Sequence, residues 1–188
     1  MMTNIDLEFS SGNRSTPFCI ELLIDHLRSI DGVLRLKARE LLVKIGKPAV
    51  PYILPLLSHA NELVRWEACK TLERIRDPKT AAELANMLLD DDMDVRWVAA
   101  DALIELEHHA VVPLLGLIEE NFESAVFREA AHHVLHSLHE LRLLNEEEHE
   151  VLKALKVNEL PSKAAFIAST ALDHLRTAVP VKHRHVVS

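Results

Sequence analysis

The chain has 188 residues, 48% of them hydrophobic and 27% charged, which is ordinary for a single soluble globular domain. With only 4 glycines and 4% aromatic residues, a turn-rich all-β fold is disfavoured and helices are favoured. The net charge is −8, but residues 77–150 alone carry a balance of −14, which would repel phosphate backbones and argues against nucleic-acid binding there.

The N-terminal part of the chain predicts a short irregular segment followed by a helical hairpin. Residues 1–15 lack helical periodicity and are expected to be mobile. Thr16 and Pro17 are typical of a helix start, because a capping residue is followed by proline in the first turn. The sequence predicts a first helix that runs to about Ser29 and a second helix over 31–45.

Four segments of the chain align at steps of 30, 31 and 31 residues, and each predicts the second helix of a helical hairpin. Apolar residues recur in them at helical spacing around a central alanine, and a polar residue opens each one as a candidate cap. The segments are DGVLRLKARELLVKI (31–45), NELVRWEACKTLERI (61–75), DMDVRWVAADALIEL (92–106) and ESAVFREAAHHVLHS (123–137). In this alignment Phe127 of the fourth segment occupies the position that is an arginine in the other three segments.

Another apolar segment precedes each of the last three and predicts the first helix of the hairpin. These segments are KPAVPYILPLLSH (47–59), PKTAAELANMLLD (78–90) and HAVVPLLGLIEEN (109–121). Pro51 and Pro113 occupy equivalent positions, and proline is tolerated in a first helical turn. Because a single hairpin cannot bury its apolar faces, stacking of the hairpins must supply the core.

The sequence therefore predicts an all-α fold, an α-α superhelix (solenoid) of about five antiparallel helix pairs in a right-handed stack. The expected single domain covers residues 16–179, with repeats at about 16–46, 47–77, 78–108 and 109–140 and a degenerate C-terminal cap at 141–179. Residues 180–188 are expected to form a mobile tail.

The pattern D-x-x-V-R-W-x-A-A-x-A-L at Asp92–Leu103 resembles the HEAT-like repeats named after phycobilisome lyases, which are armadillo-like α-solenoids. Over residues 17–139 the resemblance is clear. Such repeats occur in scaffolds, in regulatory subunits, in chromophore-attachment factors and in DNA-repair glycosylases of related build, so the resemblance implies one of these classes of protein. It also implies a structural ladder in which Arg35, Arg65 and Arg96 bond to the aspartate of a neighbouring repeat, and Phe127 would break that ladder.

Side chains of the second helices that point away from the core predict a binding surface on the concave face. Tryptophan and arginine are typical of binding hot spots, so the row formed by Trp66, Trp97 and Arg128 is the favoured anchor for a protein partner. The alternative for the two tryptophans is that they fill gaps between adjacent repeats. The three predicted rows are Trp66, Trp97 and Arg128; Lys70, Asp101 and His132; and Arg74, Glu105 and His136.

The histidines offer a chemical alternative on the same face. His132 and His136 stand four residues apart on one helix face, a spacing that can hold a transition metal, and Glu105 and His108 are candidate further ligands. Solvated histidines that titrate near 6.5 are the simpler interpretation, with pH sensitivity as a milder outcome. We therefore predict no metal and no other cofactor.

The predicted function is a non-enzymatic interaction scaffold or adaptor for another protein, since no phosphate loop or nucleophile elbow is present. The alternative is an accessory factor that handles a small molecule or chromophore, as lyases do. No run of about 18 uncharged apolar residues occurs and the chain does not start with a secretory signal pattern, so a membrane partner is not expected. Two cysteines cannot form a disulfide framework, and the expected location is the cytoplasm.

Overall fold

The computed structural model describes residues 16–156 and 160–178, and these residues contain ten α-helices and no strand. The segments expected to be mobile, 1–15 and 180–188, lie outside the described residues. In chain order the helices are α1 (Thr16–Leu27), α2 (Gly32–Ile45), α3 (Val50–Ile53), α4 (Glu62–Ile75), α5 (Ala81–Asn86), α6 (Met93–Glu105), α7 (Val111–Asn121), α8 (Ala125–Glu140), α9 (Glu146–Ala154) and α10 (Pro161–Ala178).

The first eight helices form two layers, which confirms the predicted all-α solenoid of helix pairs. The odd-numbered helices form the first layer, in which α1 packs beside α3 and α5 beside α7. The even-numbered helices form the second layer, in which α2, α4, α6 and α8 pack side by side in that order. Fully buried alanines such as Ala38, Ala68 and Ala99 allow these neighbouring backbones to approach closely.

The first helices of the second and third repeats are less regular than the sequence predicts. Helix α3 has only four residues and lies between 3₁₀ turns at Lys47–Ala49 and Leu54–Ser58. Three prolines in this segment, Pro48, Pro51 and Pro55, have no N–H to donate, so a continuous ladder of i→i−4 bonds cannot form. Helix α5 is likewise flanked by 3₁₀ turns, at Pro78–Thr80 and Met87–Leu89.

The caps of the second helices show that the predicted alignment of the fourth repeat is wrong by one residue. Side chains of Asp31, Asn61 and Asp92 accept hydrogen bonds from N–H groups in the first turns of α2, α4 and α6, as expected. In α8 the capping side chain is that of Ser124, not Glu123. The step from the third to the fourth cap is therefore one residue longer than the sequence alignment assumed, and Phe127 takes the fully buried position of the preceding repeats' valines.

The C-terminal pair closes the stack with its layers reversed. A regular fifth repeat would place its first helix beside α7, but α10 is the helix that packs along α7, and α9 instead contacts α8. Asn145 and Glu148 form a capping box at the start of α9. The rings of His139 and His149 stack at 4.2 Å between their centroids and join α8 to α9.

Within residues 16–156 and 160–178, no single helix combines the length and the apolar composition needed to cross a membrane. One pair, Gly32–Ile45 with Lys47–Ser58, meets that requirement only jointly and is bent by 116°.

Candidate partner-binding surface

One arginine in each of four repeats closes the turn between the two helices. In every case Nη1 donates to the main-chain carbonyl oxygen six residues earlier in the sequence. The pairs are Arg35 with Ser29 (2.8 Å), Arg65 with His59 (2.9 Å), Arg96 with Asp90 (2.6 Å) and Arg128 with Phe122 (2.5 Å). The fourth arginine of the series is therefore Arg128, and Phe127 does not interrupt it.

Two of these arginines also join neighbouring repeats. Arg65 donates to Asp90 through both Nε and Nη2, at 2.7 and 2.8 Å. Arg35 uses a glutamate instead of the expected aspartate, with its Nε 3.2 Å from Oε1 of Glu67. Nη1 of Arg39 donates to the other oxygen of Glu67, which is only 4% exposed. Among the described residues, Arg96 donates only to carbonyl oxygens of its own turn, those of Asp90 and Asp91.

The electrostatics of Asp90 reflect this pairing. Burial raises the pKa of its carboxyl, but the hydrogen bonds from Arg65 and from the main-chain N–H of Asp92 outweigh burial and leave the pKa below its usual range. The same hydrogen bond raises the pKa of Arg65. Both groups therefore stay charged at neutral pH and hold the second and third repeats together.

Correcting the alignment changes which side chains of α8 continue the predicted rows. Glu129, and not Arg128, is equivalent to Trp66 and Trp97. His133 takes the place predicted for His132, and Ser137 the place predicted for His136. The ring of His133 indeed lies edge-on to the indole of Trp97, with 4.8 Å between centroids. We therefore group Arg128 with the structural arginines.

The two tryptophans have different environments. Trp66 is half-buried and packs against the core, and the guanidinium carbon of Arg39 lies 5.6 Å from its ring centroid. Trp97 is 46% exposed. The gap-filling interpretation therefore describes Trp66 better than Trp97, whose indole is available to a partner.

Sequence reasoning missed most of the apolar residues on this face. Exposed or half-exposed apolar side chains stand at the first turns of α2, α4, α6 and α8, mostly two and five positions after the cap. A repeated apolar residue outside the core stripe was the signal that could have revealed them. We call this set the apolar strip: Val33, Leu36, Leu63, Trp66, Met93, Trp97 and Val126.

Two depressions lie along the apolar strip. A cavity of about 190 Å³ between α6 and α8 is lined by Met93, Trp97, Val126 and other residues, mainly apolar. A larger and more open groove of about 490 Å³ between α4 and the start of α6 is lined by Leu63 and Trp66, by four acidic side chains and by Arg35. The strip therefore combines apolar hollows with an acidic border.

The polar residues predicted for this face are exposed or half-buried, and several form local ion pairs. Lys70 lies 2.6 Å from a carboxylate oxygen of Glu73 on its own helix. Glu105 pairs with Arg76 at the end of α4. Asp101 and Arg74 are exposed to solvent.

The histidines of α8 do not gather into a metal centre with the acids and histidines proposed from the sequence. The rings of His132 and His136 are nearly perpendicular, and their centroids are 5.8 Å apart. The Nδ1 atom of His136 lies 3.9 Å from Oε1 of Glu140. Among the described residues, no group of three or more His, Cys, Asp or Glu side chains is arranged to hold a metal ion. Burial, followed by the nearby groups His136, Lys156 and His133, lowers the pKa of His132.

Comparison with known proteins agrees with this architecture. Residues 20–104 match the HEAT repeats family. The chain is similar in structure to a chain from the complex of CpcE and CpcF of phycocyanin lyase from Nostoc sp. PCC7120. That similarity has a TM-score of 0.57 and 24% identity, and it covers 81% of this chain and 99% of that one. An engineered protein matches with a TM-score of 0.43 and 18% identity over 85% of this chain and 80% of its own. No curated protein sequence matches the chain.

Proposed function

We propose that this chain, a solenoid with HEAT repeats over residues 20–104, acts as one interaction domain over residues 16–179 that binds another protein without catalysing a reaction. The observation that carries the proposal is the apolar strip, which runs across the second helices of four successive repeats. All of these side chains except Trp66 are exposed and lie outside the core, so binding is the simplest reason for their alignment across separate helices. The two free cysteines suit a cytoplasmic, reducing location.

A small-molecule role is the second candidate, because the similar solved structure contains subunits of a phycocyanin lyase. The cavity beside Trp97 has a volume of about 190 Å³, below the roughly 300–1,000 Å³ of pockets that enclose drug-sized ligands. The groove beside Trp66 is larger, but it is open to solvent and bordered by Glu62 and Asp94. These dimensions favour a macromolecular partner over an enclosed chromophore.

The test is quantitative affinity capture from native extract with the tagged full chain. We expect the captured partner to be lost, or its affinity to fall about 30-fold or more, when Trp66→Ala and Trp97→Ala are combined, as for hot-spot residues. Phe166→Ala on α10 is the matched control, because it removes another exposed aromatic ring from a different surface. Capture that is undiminished by the double variant, with only the melting temperature lowered, would contradict the proposal and leave the indoles as filling between repeats.

A further inference from the structure

The apolar strip is bordered by exposed carboxylates. Glu62 and Asp94 line the groove beside Trp66, and Glu129 lines the cavity beside Trp97. All three are exposed, and none takes part in an ion pair among the described residues. A partner that approached the strip would therefore meet exposed carboxylates on each side of Trp97.

The cations next to the strip are held by hydrogen bonds within the protein, and acidic side chains outnumber basic ones in the third and fourth repeats. Arg35 is bonded to Glu67 and to two carbonyl oxygens of its own turn. Arg96 donates to the carbonyl oxygens of Asp90 and Asp91. The third and fourth repeats, residues 78–140, carry 3 basic and 13 acidic side chains, a charge balance of −10. The surface thus has the charge and the apolar content that suit a basic amphipathic segment.

The spacing of the strip distinguishes a helical from an extended segment. Packed neighbouring helices lie roughly 8–10 Å apart, so the one or two apolar side chains that each helix contributes to the strip recur about every 8–10 Å. Residues seven apart on an α-helix share a face and are separated by about 10.5 Å along its axis. Same-face residues of an extended strand are separated by about 6.8 Å or its multiples, which matches the strip less well.

We propose that the apolar strip binds a basic amphipathic α-helix of the partner, lying across α2, α4, α6 and α8. Its apolar side chains contact the strip, one of them entering the cavity beside Trp97, and its flanking lysines and arginines face Glu62, Asp94 and Glu129. This inference rests on the proposed function and adds the chemistry of the partner segment.

Peptide selection tests this without knowledge of the partner. A phage-displayed library of random peptides about 16 residues long, roughly 24 Å as a helix, is selected against the full chain near neutral pH. We expect the enriched peptides to be rich in lysine and arginine and to carry apolar residues at i, i+3 or i+4, and i+7. A synthetic copy of the strongest binder is then titrated by fluorescence anisotropy at low and high ionic strength.

Three protein variants separate the charge contribution from the apolar contribution. Trp97→Ala should weaken the peptide about 30-fold or more, as expected for a hot spot. Combining Glu62→Gln, Asp94→Asn and Glu129→Gln should weaken it about tenfold at low salt and flatten the salt dependence. The control combines Glu83→Gln with Glu120→Gln on exposed sites of the first layer and should leave affinity unchanged.

The outcomes distinguish the inference from the function on which it rests. Peptides that depend on Trp97 but show no basic enrichment and no response to the neutralised carboxylates overturn the inference and leave the proposed function standing. Enriched peptides whose binding ignores Trp97→Ala, or a selection that enriches nothing, overturn both.

Discussion

Removing the charge of Glu67 tests whether buried ion pairs hold the first two repeats together. Its side chain is 6% exposed, and its carboxylate accepts hydrogen bonds from Arg35 and Arg39, whose side chains are 15% and 14% exposed. Breaking a buried pair costs about 3–5 kcal/mol, whereas an exposed pair is worth less than about 1 kcal/mol. Because the arginines keep some contact with water, we expect Glu67→Gln to lower the free energy of unfolding by about 3 kcal/mol.

The assay is thermal unfolding followed by circular dichroism, with urea unfolding as a second measure of stability. For a domain of this size, about 3 kcal/mol corresponds to a decrease in melting temperature of about 6–12 °C. Amide hydrogen exchange should show the increased opening first in α2, which carries both arginines. Glu120→Gln, an exposed glutamate without an ion pair among the described residues, is the control and should change stability by less than about 0.5 kcal/mol. A loss equally small for Glu67→Gln would refute the reasoning.

Three further predictions follow from the same structure. Ala99→Leu should overpack the fully buried contact between second helices and cost about 1–3 kcal/mol, while Ala82→Leu at an exposed site should be nearly neutral; equal melting temperatures would contradict this. Burial and neighbouring cationic groups lower the pKa of His132 in the folded state. Its contribution to the free energy of unfolding is therefore complete above pH about 6.5, the unfolded-state pKa, and is lost as pH falls through the folded-state pKa. His132→Gln should therefore flatten the acid-induced fall in melting temperature, and an unchanged pH profile would be evidence against it. DNA and RNA should not bind at physiological salt near neutral pH; submicromolar affinity that is lost on mutating Lys70 and Arg74 would overturn this.

Local chemistry explains why the helices and most of their caps were predictable. Asp31, Asn61 and Asp92 lie directly before helical stripes, and each caps its helix through contacts within three residues. Apolar segments that recur about every 30 residues likewise predict that the hairpins stack, because a single hairpin cannot bury its apolar faces. The sequence could therefore predict the class of fold and the number of repeats in the regular part of the stack.

The fourth repeat shows where a sequence alignment fails. A step of 31 residues aligns Glu123 with Asp92 as the polar residue that opens the helix, yet the turn holds one more residue and Ser124 caps the helix. Phe127 is apolar and enters the core, and this moves Arg128 into the structural series. The sequence alignment offered Glu123 alone as the cap, and the structure places Ser124 there.

What the sequence by itself determined is the set of features that depend on near neighbours in the chain: helical periodicity, caps, the repeat and the concentration of acidic charge. The tertiary structure decided the features that depend on distant residues. It paired Arg35 with Glu67, placed α10 against α7, and brought the first turns of four helices onto one surface. Exposure of Trp97 and partial burial of Trp66 at equivalent repeat positions could not be read from the sequence, because each indole's environment is set by the side chains of the adjacent repeat.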